Sequence, residues 1–279
     1  MNPWSEGERG AALQALVAQL RLEQLEHNLF RGSSSDIGAP AVFGGQVLGQ
    51  ALMAAARTVP QHAAHSLHGY FLRPGDKAAP IVYDVDRIRD GASFTTRRVV
   101  AIQHGEPIFH MSASFHRREE GVSHAPAMPE VPSPEQTGPR EAALRAVDEV
   151  FDLRFVDPRD PATAGPRPAV NRAWLRTAEA LPDDPVLHQA LLAYVSDYSL
   201  LGVAMQPHGL HFKQPGVQGV SLDHAMWFHR DFRCDDWLLY DTESPSAAHA
   251  RGFCRGSLFS RDGRLVASVA QEGLIRVRR

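Results

Sequence analysis

The chain has 279 residues, which suits one large domain or two of about 140 residues each. Hydrophobic residues make up 43% and charged residues 22%, so a sizeable core is available and wholesale disorder is excluded. A net charge of −3 excludes a general polyanion binder, and nucleic acid is not an expected partner. The two cysteines, Cys234 and Cys254, make no disulfide framework and fit a reducing compartment. No apolar run reaches the roughly 18 residues that a membrane span needs. The opening MNPWSEGERG has neither the basic region nor the apolar stretch of a signal peptide, and the closing RVRR is not the Ser-Lys-Leu peroxisomal address. A cytoplasmic location is expected.

In chain order, residues 11–22 predict a short amphipathic helix, and the latter part of 22–32 alternates like a strand. Residues 41–60 are small and apolar almost all round, which predicts a buried helix stopped by Pro60. Gly45 and Gly49 lie four apart in it. They predict close backbone packing, since the Lys-Ser/Thr of a phosphate cradle is missing. Four strand-like stretches follow at 65–72, 80–88, 93–103 and 107–117, and turn chemistry between them predicts an antiparallel meander. The polar, proline-rich 118–140 reads as a linker.

After a short helix at 141–151 the layout recurs. Strands are predicted near FDLRFV and NRAWLRTAEA, then a second long apolar helix over 183–205, then strands at 219–230, 236–246, 249–260 and 264–277. Arg73, Tyr83-Asp84 and Arg98 reappear 157 residues on as Arg230, Tyr240-Asp241 and Arg255, and Gly105 reappears 158 on as Gly263. The same order of elements and these identities predict two copies of one unit, helix plus antiparallel sheet.

The common catalytic signatures are absent: no G-x-S-x-G, no P-loop, no dinucleotide fingerprint and no H-E-x-x-H. The cysteines lack zinc spacing, and His62, His65 and His68 read as turn and strand histidines rather than metal ligands. Three polar residues stand out instead. Asp197 falls among the apolar residues of the second helix, where a carboxylate is costly unless hydrogen-bonded or functional, or unless it caps or breaks the helix there. Gln271 shares the expected buried face of the last strand with Ala267 and Val269. Ser221 is expected to begin the strand after the helix. Shifted back by 157 or 158, Ser221 meets Ala64 and Gln271 meets Ala113, and aligning the helices through Leu48-Gly49 and Leu201-Gly202 sets Asp197 near Gly44. The first copy thus lacks the three polar groups, which suggests a site working once per chain. A carboxylate, an amide and a hydroxyl can together bind and orient one water for hydrolysis of an activated acyl group. The adjacent Asp223 and His224 point to opposite faces of a strand, so they are not expected to act as a dyad.

These residues resemble the acyl-CoA thioesterase II family, the double-hotdog thioesterases. The resemblance is carried by VFGGQVLGQAL (42–52), HSLHGYFLRPGD (65–76), 83–115, MQPHG (205–209), DHAMWFHR (223–230), WLLYDTESPSA (237–247), ARGFCRG (250–256) and VASVAQEGLIR (266–276). It implies an α+β fold of two tandem hotdog units, each a long helix wrapped by an antiparallel sheet, over 1–117 and 146–279 with a linker over 118–145. It implies a fatty acyl-CoA substrate cleaved to free acid and coenzyme A, with no metal or other cofactor, and a homodimer or homotetramer. The family's catalytic Asp, Thr or Ser, and Gln carry over onto Asp197, Ser221 and Gln271; serine at 221 keeps the hydroxyl and loses a methyl. Arg73, Arg98, Arg230 and Arg255 could meet coenzyme A phosphates, but their recurrence in both halves fits a scaffold role equally well. Two alternatives stand beside this reading: a non-catalytic acyl-CoA binder, and a hotdog hydratase. The hydratase pattern places a histidine five residues after the aspartate, where this chain has Gly202.

Overall fold

A computed structural model describes residues 6–138, 145–160, 163 and 165–278. The first half holds α1 (Glu6–Leu20), β1 (Glu23–Glu26), β2 (Leu29–Gly32), α2 (Gly44–Arg57), β3 (Ala63–Phe71), β4 (Ile81–Asp90), β5 (Phe94–Gln103) and β6 (Glu106–His116). The second holds α3 (Arg145–Val150), β7 (Phe151–Phe155), β8 (Val170–Thr177), α4 (Pro185–Ser196), α5 (Gly202–Met205), β9 (Val217–Ser221), β10 (Asp223–Phe228), β11 (Leu238–Ala248), β12 (Arg251–Ser260) and β13 (Leu265–Val277). The start of the helix expected over 141–151, and the segment 1–5 of the chain's opening, lie outside the described residues.

The long helices follow from their sequences. In α2 every residue from Gly45 to Ala56 is buried, and the Thr58 hydroxyl closes the helix by donating to Ala55 O at 2.8 Å. In α4, Asp184 is the N-cap and accepts from the Val186 and Leu187 N–H groups, with Pro185 next. The two helices pack antiparallel. A Cβ built on Gly45 would fall 2.2 Å from Tyr194 O, and one on Gly49 would fall 2.9 Å from Ala190 O. The glycine pair is therefore a packing device, as its sequence context predicts.

The second helix is shorter than expected. It ends at Ser196, and Ser199 takes a left-handed φ of 64°, which an α-helix cannot contain. The chain turns there and resumes as α5.

Among the described residues thirteen strands form one antiparallel sheet in the order β1-β2-β4-β5-β6-β3-β10-β13-β12-β11-β8-β7, with β9 beside β13. The four-strand meander holds only for β4, β5 and β6. β3 pairs with β6 on one side and β10 on the other. The reason is the 72–80 connection, which is a crossing loop and not a hairpin turn. Gln103 holds it across the sheet, accepting from the Asp76 N–H and donating to Asp76 O and Ala79 O. The strand expected over 219–230 is likewise two strands, parted at Leu222, whose N–H goes to Glu272 O and whose O accepts from Phe71 N–H.

The repeat is visible in the register. Asp86 faces and pairs with Arg98, and Glu243 faces and pairs with Arg255. Arg73 donates to Pro107 O as Arg230 donates to Leu265 O. These recurrent arginines therefore have scaffold partners in both halves. Residues 117–133 run without regular structure along the second half. Trp174 Nε1 donates to Pro132 O at 2.9 Å, and Met128 and Val131 pack on a small cluster of Trp174, Trp237, Leu239, Phe259 and Leu265. Among the described residues no helix is long and apolar enough to cross a membrane, and no group of three His, Cys, Asp or Glu is placed to hold a metal ion.

Candidate active site

Asp197 is the C-cap of α4. A carboxylate there faces the negative end of the helix, so it does not serve to stabilise that terminus. Its side chain is nearly inaccessible, at 4% exposure, and must therefore be satisfied by specific donors. Two are present on Oδ1: Gln271 Nε2 at 2.5 Å and Ser221 Oγ at 3.3 Å. Ser221 reaches this point from the last position of β9, not from the start of a strand, because the chain parts at Leu222. Gln271 points inward from β13, on the buried face it shares with Ala267 and Val269. The three residues singled out in the sequence thus meet, although they come from a helix end and two strands.

A fourth side chain joins them. Ala225 lies opposite Ala270, so one step along β10 His224 lies across from Gln271. His224 is fully buried. Its Nδ1 is 3.2 Å from Gln271 Nε2 and 3.9 Å from Asp197 Oδ1, and its Nε2 is 3.0 Å from Ser196 Oγ. Burial pushes the imidazole below the ordinary histidine value, against the smaller upward pull of Asp197. Asp223 turns the other way and accepts from the Glu272 N–H at 2.6 Å, so the two neighbours do not form a dyad, as strand geometry predicts. Burial raises the Asp223 carboxyl, opposed by that hydrogen bond.

His224 is not among the three residues that stand out in the sequence. The signal was nonetheless available: the shift of 157 that sets Ser221 on Ala64 sets His224 on Leu67. Leu67 faces Ala113 in the first half, as His224 faces Gln271 in the second. The helix register aligned through Leu48-Gly49 needs correction. Gly44 is not the counterpart of Asp197 but its neighbour in space, because α2 and α4 run antiparallel. Gly44 opens α2, and a Cβ on it would fall 2.8 Å from Asp197 Oδ2 and 3.0 Å from the Phe71 ring. Counted from the C-caps, the counterpart of Asp197 is Thr58.

The cluster leaves one polar atom over. Gln271 Oε1 is buried and has no hydrogen-bond partner among the described residues. A buried carbonyl of this kind, next to a carboxylate, is a place where a water can dock. A depression of about 630 Å³ lies elsewhere, on the outside of the second half. Its lining mixes charges of both signs around Trp237, whose ring carries Arg154 and Arg176, and it includes none of the four clustered residues.

Comparison with known proteins identifies the family. The family described as acyl-CoA thioesterase matches residues 152–274, and its N-terminal domain matches 30–116. "Acyl-CoA thioesterase 2" of Haemophilus influenzae is 39% identical over 279 residues, covering 95% of this chain and 98% of that protein. The crystal structure of acyl-CoA thioesterase II TesB2 from Mycobacterium marinum superposes with a TM-score of 0.82 at 47% identity, covering 94% and 98% of the two chains. A hot dog fold protein from Alicyclobacillus acidocaldarius, 21% identical, gives a TM-score of 0.81 over 95% of this chain and 99% of that one, and shows the fold alone. The fold together with these relatives defines a hotdog thioester hydrolase. The chain belongs to the acyl-CoA thioesterase II family.

Proposed function

We propose that this protein hydrolyses acyl-CoA thioesters to free fatty acid and coenzyme A, using one water activated by Asp197 with Ser221 and Gln271. The observation that carries the site is the convergence of these side chains on a buried carboxylate, beside the unpartnered Gln271 Oε1. A docked water donates one hydrogen bond to Gln271 Oε1 and the other to the Asp197 carboxylate. Both oxygen lone pairs are then free, and one of them attacks the thioester carbon. As the carbon–oxygen bond forms, Asp197 takes the proton and the carbonyl electron pair moves onto oxygen. Collapse of that intermediate expels the coenzyme A thiolate, which recovers the proton from Asp197. Water and thioester are consumed, acid and thiol are formed, and no enzyme-bound acyl group intervenes.

Release of free thiol from acyl-CoA esters tests this reading. In Asp197→Asn the rate is expected to fall by about 10²-fold or more. Unchanged release in the variant would remove Asp197 from the mechanism, and binding of the esters without release by the wild type would favour the non-catalytic binder.

The same reading divides the chain into hotdog units over 1–117 and 146–279 with a linker over 118–145, and assigns the protein to lipid metabolism as a cytoplasmic homodimer or homotetramer. Light scattering after size exclusion gives the oligomeric state directly.

A further inference from the structure

We propose that His224 is a positioning residue that fixes the orientation of the Gln271 amide. This inference rests on the proposed role of Gln271.

The hydrogen-bond pattern assigns every proton in the chain of contacts. The Ser196 hydroxyl donates to Ala193 O at 2.9 Å, so its oxygen is left to accept from His224. The His224 proton must therefore sit on Nε2, and Nδ1 presents a bare lone pair. Gln271 Nε2 carries two hydrogens and has two acceptors within reach, Asp197 Oδ1 at 2.5 Å and His224 Nδ1 at 3.2 Å. Both donors are used, and Oε1 is turned away from Asp197 and His224 as the unpartnered acceptor. The flipped amide would set its oxygen against a carboxylate oxygen and an imidazole lone pair together, two repulsions in place of two bonds. Ser196 is itself held, since Tyr240 donates to its carbonyl at 2.9 Å. The relay thus runs from the end of α4 through His224 to the amide, and it keeps Oε1 available for the water. Burial, which disfavours the charged imidazole, keeps Nδ1 an acceptor.

The first half supplies a variant that the fold already packs. Leu67 and Ala113 occupy the places of His224 and Gln271 there. His224→Leu removes both hydrogen bonds. His224→Asn sets an acceptor at the distance of Nδ1 from the backbone and loses the Ser196 contact. His224→Gln reaches Ser196 and loses the acceptor at Nδ1. Steady-state thiol release and thermal melting would be measured for these three, for Gln271→Ala, and for the double variant His224→Leu with Gln271→Ala.

His224→Leu is expected to lower kcat by about 10- to 100-fold with KM changed by less than about threefold, the signature of misplacement and not of lost binding. His224→Asn is expected to recover most of the loss and His224→Gln to recover little. The double variant is expected to match Gln271→Ala, because a residue acting through Gln271 has nothing left to position. Wild-type kcat in His224→Leu, alongside a large loss in Gln271→Ala, would overturn the inference and leave the site reading intact. Additive losses in the double variant would also overturn it. Wild-type kcat in Gln271→Ala would overturn the site reading itself. If His224→Leu does not fold, the Asn and Gln variants decide: Asn above Gln supports the relay, and Gln equal to or above Asn overturns it.

Discussion

The two halves of the chain share a frame and differ in what fills it. Hairpin register, the Asp86–Arg98 and Glu243–Arg255 pairs and the arginine anchors at 73 and 230 repeat. At the level of the site the halves part. Ser221, His224 and Gln271 in the second correspond to Ala64, Leu67 and Ala113 in the first, and Cys254, which faces Gln271, corresponds to Arg97, which faces Ala113. Arg97 is 1% exposed, yet all three of its nitrogens are satisfied. It donates to Thr58 Oγ1 at 2.8 Å, to Thr58 O, Arg89 O and Thr96 O, and pairs with Asp90. The place equivalent to the site is thus closed by a buried, fully bonded cation, whereas the second half keeps an unbonded carbonyl oxygen. Within the cluster, the unbonded Gln271 Oε1 beside the Asp197 carboxylate is the place a water can fill.

That contrast can be broken from the first half. Arg97→Ala removes a bonded cation and leaves a cavity and several carbonyls without donors, so a loss of about 3 kcal/mol in stability is expected. Thiol release per folded molecule should not change. Denaturant melting with parallel assays checks both, and a large fall in kcat with stability intact would show that the first half takes part in the chemistry. The contrast sharpens at Ser221, whose single bond to Asp197 is long at 3.3 Å. Ser221→Ala is expected to lower kcat by about tenfold, the worth of one hydrogen bond to a charged group, and Ser221→Thr to stay near wild type. Equal losses in both variants, measured as kcat, would point to steric fit and not to the hydroxyl.

The smallest effect is on stability against pH. Burial holds His65, His188, His224 and His229 below the ordinary histidine value. As pH falls below about 6.5 the unfolded chain takes up protons that the folded chain refuses, so stability falls. The melting temperature at pH 5.5 should lie below that at pH 7.5, and a flat or rising trend toward acid would contradict the buried neutral state of these rings.

Much of this frame is legible in the sequence, and the failures have physical causes. Alternation identifies which face of a strand is buried, which is how Gln271 stands out beside Ala267 and Val269. It does not identify the neighbouring strand, which depends on where the connection goes, and so β3 was expected beside β4 and is found between β6 and β10. Composition marks 183–205 as one apolar helix. The break after Ser196 rests on the left-handed Ser199, a residue type with no strong preference for that conformation. Ser221 and Asp197 meet only because of that break and the parting at Leu222. His224 was hidden for a further reason: one buried histidine in an apolar strand reads as packing until its cross-strand partner is known.

The most direct test places the first half's residues at three positions of the second. In a variant combining Ser221→Ala, His224→Leu and Gln271→Ala, the cooperative melt should persist, because the first half packs the same residues, and thiol release from acyl-CoA should fall to background. Thiol release near the wild-type rate from a folded triple variant would contradict a single working site in the second half.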